Sequence, residues 1–271
     1  MSQQGPALAG PATEQGWQHV VRLDQVEMTF GKVQALSGID FRVGRNEIVG
    51  LLGDNGAGKS TLIKIVSGVL RPTAGSVWVR DRPVDLDQYS ARMAHELRIE
   101  TVHQGQTLGE KQPLWRNLFV GRQIVDRFGF IDVDEEKRIA DQLLRQAIGF
   151  RGVGITAEST ARDLSGGERQ GIAIARAMYF EADLIVLDEP TTALAVNEVR
   201  KVLAFIEGVK AGGRACIYIE HNLGNVHEVA DRLVILDRGR VVGEFSRGEI
   251  TLADLTARMI ALHEGHVHAR S

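Results

Sequence analysis

Strands and helices alternate along the second half of this chain, which predicts an α/β fold with a parallel sheet covered by helices on both faces. Three observations carry that expectation. Short apolar runs at 47–52, 184–187 and 215–219 are bounded by turn residues, as strands buried on both faces should be. Segments with apolar residues at helical spacing, 60–69, 167–179 and 196–209, follow or separate them. Of the 271 residues, 44% are hydrophobic, 25% charged and only 6% aromatic, and so low an aromatic share argues against an all-β sandwich.

In order along the chain, residues 1–16 are rich in Gly, Pro, Gln and Ala without periodicity and read as a disordered leader. From His19 the pattern turns strand-like, with runs at 20–23, 26–30 and 39–43 and turns marked by Gly31 and Gly44. The run 47–52 enters a glycine-rich loop, and the helix 60–69 follows. Residues 76–80, after a turn at 72–75, read as an edge strand. The stretch 106–154 changes character: Ile139, Leu143, Leu144, Ala147 and Ile148 fall at helical spacing within 135–148, which marks a mainly α-helical insertion. Alternation then resumes. Runs at 233–236 and 241–245 flank Asp237-Arg238-Gly239-Arg240, a hairpin turn. No internal repeat is present, so the chain holds one copy of its functional unit.

Charge and composition exclude several classes. A formal charge of −3 gives no support to a nucleic-acid binder. No segment reaches the roughly 18 apolar residues needed to cross a bilayer, and the first 16 residues lack the basic start and apolar stretch of a secretory signal. The single cysteine, Cys216, lies in the apolar run 215–219 and reads as a buried small hydrophobe in a reducing compartment. The expected location is the cytoplasm, with any work at a membrane done from outside the lipid.

Chemistry concentrates in three motifs. Gly53-Asp54-Asn55-Gly56-Ala57-Gly58-Lys59-Ser60 fits the phosphate-binding loop G-x-x-x-x-G-K-[ST]. Its glycines let backbone N–H groups curl round the β- and γ-phosphates, and the following helix, opening through Thr61, offers its positive end. Lys59 supplies a point charge, and the Ser60 hydroxyl can ligate Mg²⁺. The second motif is Asp188-Glu189, where an apolar strand ends. Asp188 stands where a carboxylate holds Mg²⁺ in phosphate-loop enzymes, and Glu189 can polarise an attacking water. Alone, the pair would be a solvated loop; beside a phosphate loop it points to ATP hydrolysis. The third motif is Leu164-Ser165-Gly166-Gly167-Glu168-Arg169-Gln170, just before a helix. Ser165 and the two glycines make an anion-binding helix N-terminus, or else a plain Ser/Gly cap.

With these motifs in this order, residues from about 19 to 250 resemble the ABC ATPase superfamily, with 164–170 in the place of its LSGGQ signature and Glu168 where Gln is commoner. The resemblance implies a P-loop NTPase (RecA-like) core with an N-terminal antiparallel β subdomain and an α-helical subdomain inserted at about 106–164. A C-terminal helix and polar tail over 251–271 would follow. It implies that Gln104 senses Mg²⁺ and the lytic water, and that His221 is the switch histidine touching the γ-phosphate, where residues alone suggest a polar strand end. Phe30 would stack on adenine, with a core aromatic as the other reading. It further implies a head-to-tail dimer with Lys59, Ser60, Asp188, Glu189 and His221 acting in cis and Ser165 and Gly167 in trans, Gly166 being a nucleotide-binding residue of the same motif. Ala195 departs from the pattern, which has aspartate there. Asn117-Leu118-Phe119-Val120-Gly121-Arg122 looks like a segment of simple-sugar importers. Permease subunits and, through them, a periplasmic sugar-binding protein are the implied partners, at the cytoplasmic face of the inner membrane. Transport of another solute, or a soluble role in metal-cluster assembly, is the alternative. A chromosome-maintenance ATPase would need a long heptad insertion, and a ribosome-associated factor two cassettes; neither is present. The C-terminal His263, His266 and His268 read as a solvated tail.

Overall fold

The computed structural model describes residues 16–102, 108–147, 155–192 and 194–268. The leader, Gln104, Ala193 and the last three residues therefore lie outside or almost wholly outside the described residues. Along the chain the first elements are β1 (His19–Phe30), β2 (Val33–Gly44), β3 (Ile48–Leu52), α1 (Lys59–Val66), β4 (Ala74–Val79), β5 (Arg82–Pro83), α2 (Ala91–Glu96) and β6 (Ile99–Val102). The insertion supplies α3 (Leu114–Phe119) and α4 (Val133–Ala147), and a short 3-10 turn, Ala161–Asp163, leads out of it. Then come α5 (Gly166–Tyr179), β7 (Leu184–Asp188), α6 (Val196–Ala211), β8 (Ala215–Ile219), α7 (Leu223–Val229), β9 (Arg232–Asp237), β10 (Arg240–Ser246) and α8 (Leu252–His268).

Two sheets result. The N-terminal sheet is antiparallel, in the order β2-β1-β4-β5, and the main sheet runs β10-β9-β3-β8-β7-β6. Within the main sheet β9, β3, β8, β7 and β6 are parallel, and only the hairpin strand β10 is antiparallel. The α/β class expected from alternation is the one observed. Alternating side chains of β3 explain why its run is apolar throughout. Val49 and Leu51 enter a core shared with α1 and the N-terminal sheet, while Ile48 and Leu52 enter a second core under α6, α7 and α8. A third core of Leu114, Leu118, Phe119, Ala140, Leu144 and Ile172 joins α3 and α4 to α5.

Three local expectations are corrected. The runs 20–23 and 26–30 are one strand, because Gln25 takes φ 49° and the register slips between Leu23 and Val26. That bulge lets Leu23 and Val26, an odd number of residues apart, both face the core. The strand expected at 39–43 begins six residues earlier, since exposed Val33 and Gln34 pair with Phe30 and Thr29 without any apolar alternation to announce it. The segment at 76–80 is not an edge: β4 lies between β1 and β5, and Pro83 in β5 takes the edge position instead. Among the described residues no helix is long and apolar enough to cross a membrane.

Candidate functional site

Pairing in the main sheet sets the site. Leu51 of β3 stands beside Ile219 of β8, which stands beside Asp188 of β7, so the three strands end level with one another. Each end carries one polar segment: 53–60 after β3, Asp188-Glu189 at β7, and Glu220-His221 after β8. Carboxyl ends of parallel strands are where such sheets bind ligands.

The loop 53–60 is held in shape by its neighbours. Gly58 is the N-cap of α1 with φ 108°, and a Cβ there would stand 2.8 Å from Leu36 Cδ2 and 2.9 Å from the Ala35 carbonyl oxygen. Only glycine fits both the conformation and the space. The Ala57 N–H donates to the Asp54 carbonyl at 3.1 Å, and the Gly239 N–H of the β9–β10 turn donates to the Ala57 carbonyl at 2.9 Å. Asn55 and Gly56 are exposed, as is Ser60 at the second residue of α1, with Thr61 half-buried beside it. Lys59 is buried, and its Nζ donates to the Gly53 and Asp54 carbonyls at 2.5 and 3.0 Å. Burial lowers its pKa, and the charges of Glu189, Asp54 and Asp188 oppose that fall. Those carboxylates therefore lie within electrostatic reach of the ammonium, although Asp188 and Glu189 are some 130 residues away in sequence.

At the β7 end, Glu189 takes φ 50° and its N–H donates to the Ile219 carbonyl at 3.0 Å, which turns its side chain toward β8. Its Oε1 lies 2.8 Å from His221 Nε2, and the Thr192 hydroxyl donates to its Oε2 at 3.4 Å. Beneath this pair sits a residue that sequence reasoning missed. Glu220 is buried and accepts from the His221 N–H at 2.8 Å, the Thr191 N–H at 3.3 Å and the Thr191 hydroxyl. It ties the segment after β7 to the segment after β8. A carboxylate beside an imidazole, next to a buried ammonium, can orient and deprotonate a water near an anion.

Among the described residues no group of three or more His, Cys, Asp or Glu is arranged to hold a metal alone. Asp188 at the end of β7 and the Ser60 hydroxyl in the first turn of α1 are the hard oxygen donors that suit a divalent ion taking its other ligands from phosphates and water.

Ser165 is the N-cap of α5: its Oγ accepts from the Glu168 N–H at 3.3 Å, and its own N–H donates to Glu168 Oε2 at 2.9 Å. The capping alternative is thus realised geometrically, and Glu168 supplies its reciprocal half. Gly166 and Gly167 pack against the start of α6, where Cβ atoms would meet Leu194 Cδ2 at 2.4 Å and Glu198 Cβ at 2.9 Å. Phe30 ends β1 at 46% exposure, which rules out the core reading. Asn117 is buried and braces the entry to α3, accepting from the Gly109 N–H at 2.6 Å and donating to the Gly109 and Gln112 carbonyls. Arg122 pairs at 2.5 Å with Glu100, which lines a cleft of about 280 Å³ together with Arg176 and His95. The C-terminal segment forms helix, and the His263 side chain on it is exposed. Helix α8 continues to His268, and His263 Nδ1 lies 2.6 Å from Asp54 Oδ2 in the phosphate loop. Helical continuation through Leu262 was the available signal.

Residues 36–192 match the family model described as ABC transporter. The chain is 37% identical over 253 residues to the xylose/arabinose import ATP-binding protein XylG of Sulfolobus acidocaldarius, covering 92% of this chain and 97% of that one. It is 34% identical over 252 residues to the ribose import ATP-binding protein RbsA of Pseudomonas putida, covering 93% of this chain but only 48% of that protein, so it spans about half its length. A nucleotide-free ATP-binding cassette from an ABC transporter superposes with a TM-score of 0.76 at 22% identity, over 90% of this chain and 98% of the other. A dimeric post-hydrolysis cassette bound to ADP and Pi superposes at 0.69 and 23% identity, over 85% and 100%. The phosphate loop, the paired carboxylates and the capped signature helix thus sit on a fold and in a sequence that agree, and the chain belongs to the ABC transporter family as an ATP-binding cassette ATPase.

Proposed function

We propose that two copies of this chain close head to tail and hydrolyse ATP to power import of a simple sugar through a permease at the cytoplasmic face of a membrane. The observation that carries the reading is the gathering of Lys59, Glu189 and His221 at level strand ends, while Ser165–Gly167 sits on a separate helix. Each triphosphate would lie on 53–60 of one chain, with Lys59 countering its charge, and under Ser165, Gly166 and Gly167 of the other. Phe30 would stack on the adenine. Glu189 takes a proton from the attacking water, and His221, held by its 2.8 Å contact, keeps that carboxylate and the terminal phosphate aligned. Ser60 and Asp188 would hold a Mg²⁺ that neutralises phosphate charge, and the family resemblance adds Gln104 to that set.

Support for the sugar comes from the names of the relatives, which import xylose or arabinose and ribose. A single cassette of this length resembles the first of these in extent. The cleft beside Arg122 and Glu100 suits a permease segment, and a periplasmic or other extracellular sugar-binding protein would act through that permease. Co-purification with a multi-span permease supports this reading, whereas a purely soluble complex favours the metal-cluster role.

The shared site is tested by mixing. Lys59→Ala and Ser165→Arg chains, each inactive alone, should regain part of the ATPase activity when combined, because one mixed site keeps both intact halves. No recovery under conditions where the dimer forms would contradict the head-to-tail arrangement.

A further inference from the structure

A carboxylate of this chain already stands beside the donors at the start of α5. Glu198, in the first turn of α6, folds its carboxylate back so that Oε2 accepts from the Ala195 N–H at 3.2 Å. Ala195 is the N-cap of α6 and has no side-chain oxygen to offer, so Glu198 serves that helix end by itself. The same residue stands against the signature motif. A Cβ on Gly166 would lie 3.8 Å from Glu198 Oε2, and one on Gly167 would lie 2.9 Å from Glu198 Cβ and 3.2 Å from its Cα. Hydrogen bonding by the Ala195 N–H, then the Ser165 hydroxyl and the Gly167 N–H, holds the Glu198 carboxyl below the usual carboxylate range. The cation beside it, Lys201, also faces Glu168, at 3.9 Å.

Those donors have a second claimant. In the head-to-tail arrangement, on which this inference rests, the Ser165 hydroxyl and the Gly167 N–H are the groups that take the terminal phosphate bound to the partner's loop. A carboxylate and a phosphate cannot use the same donors at once, and two anions a few ångströms apart repel. We propose that Glu198 is a built-in competitor, which fills the signature motif's anion site in the separated chain and must swing aside for the partner's nucleotide. Closing then exchanges one anion for another at the N-terminus of α5. Once phosphate has left, the carboxylate returns to its donors and favours opening. Glu198 thereby sets the ATP concentration at which two chains close.

The test uses the full chain in a Glu189→Gln background, with ATP-dependent dimerisation followed by sedimentation. Glu198→Gln keeps an oxygen for the Ala195 N–H and removes the charge. It should lower the ATP concentration for half-maximal dimer by about fivefold, the size of one anion at a helix end. Glu198→Asp keeps the charge and should stay near the parent value. An unchanged or raised ATP requirement in the Gln variant, at an unchanged melting temperature, overturns the proposal, as does an Asp variant that behaves like Gln. If the Glu189→Gln parent forms no dimer at any ATP concentration, the head-to-tail reading fails first and this inference falls with it. A parent that dimerises normally while Gln has no effect sinks the competitor alone.

Discussion

Replacing Glu220 by alanine should destabilise the protein more than any other single change at the site that leaves the phosphate loop intact. The residue is 5% exposed, and its carboxylate receives the Thr191 N–H, the Thr191 hydroxyl and the His221 N–H. Truncation leaves these three donors without their acceptor, and Thr191 is itself only 7% exposed. Each abandoned buried donor costs about 1–3 kcal/mol, and water reaching the cavity offsets part of the total, so a net loss of roughly 3–4 kcal/mol is expected. For a domain of this size that corresponds to a fall in Tm of about 10 °C. Because the same carboxylate joins the segments that carry Glu189 and His221, ATP turnover should fall along with stability. Glu220→Gln keeps an acceptor oxygen and should lose about half as much. Calorimetry without nucleotide gives the first quantity and a phosphate-release assay the second. An alanine variant within 1 kcal/mol of wild type, with normal turnover, would refute the idea that Glu220 braces the two strand ends.

Other outcomes follow from single residues. Lys59→Ala should weaken ATP binding by roughly thirtyfold, the worth of a charged hydrogen bond of about 2 kcal/mol, and titration calorimetry reads it directly. Burial raises the Glu136 carboxyl above its ordinary 4.5, while its bond from the Ile124 N–H works the other way. An acid whose folded pKa is raised binds more protons folded than unfolded, so this group contributes most at low pH and its contribution falls as pH rises through the shifted value. Glu136→Gln should therefore melt higher than wild type at pH 7, with the gap shrinking as pH drops toward 4.5; a gap that widened would reverse the sign. Cys216 is fully buried on β8, and burial pushes its thiol up. An aromatic disulfide reagent should leave it untouched in the native protein and label it after denaturation.

What could be read from sequence was what is local. The phosphate loop is a contiguous pattern, and Asp188-Glu189 announces itself as two acids ending an apolar strand. The strand β6 was hidden because Ile99-Glu100-Thr101-Val102 is four residues with a polar middle, and only pairing with β7 makes it a strand. The bulge at Gln25 breaks an alternation that sequence can only report as two runs. Glu220 follows the apolar β8, where an acid reads as solvated, and its burial comes from Thr191, 29 residues earlier. Glu198 reads as an exposed residue of an amphipathic helix, since nothing in its neighbourhood names Ser165. His263 reads as tail because Asp54 lies 209 residues away. In each case the missing information was a contact between distant segments, which a parallel sheet creates by setting remote strand ends side by side.

The central claim is that ATP is turned over where 53–60 and Glu189 meet, with Glu189 as the base. The most direct measurement is ATP binding and hydrolysis by Glu189→Gln, which keeps the shape of the side chain and removes its basicity. The account expects ATP affinity close to wild type, with the hydrolysis rate lowered by about a hundredfold or more. Hydrolysis near the wild-type rate would contradict it.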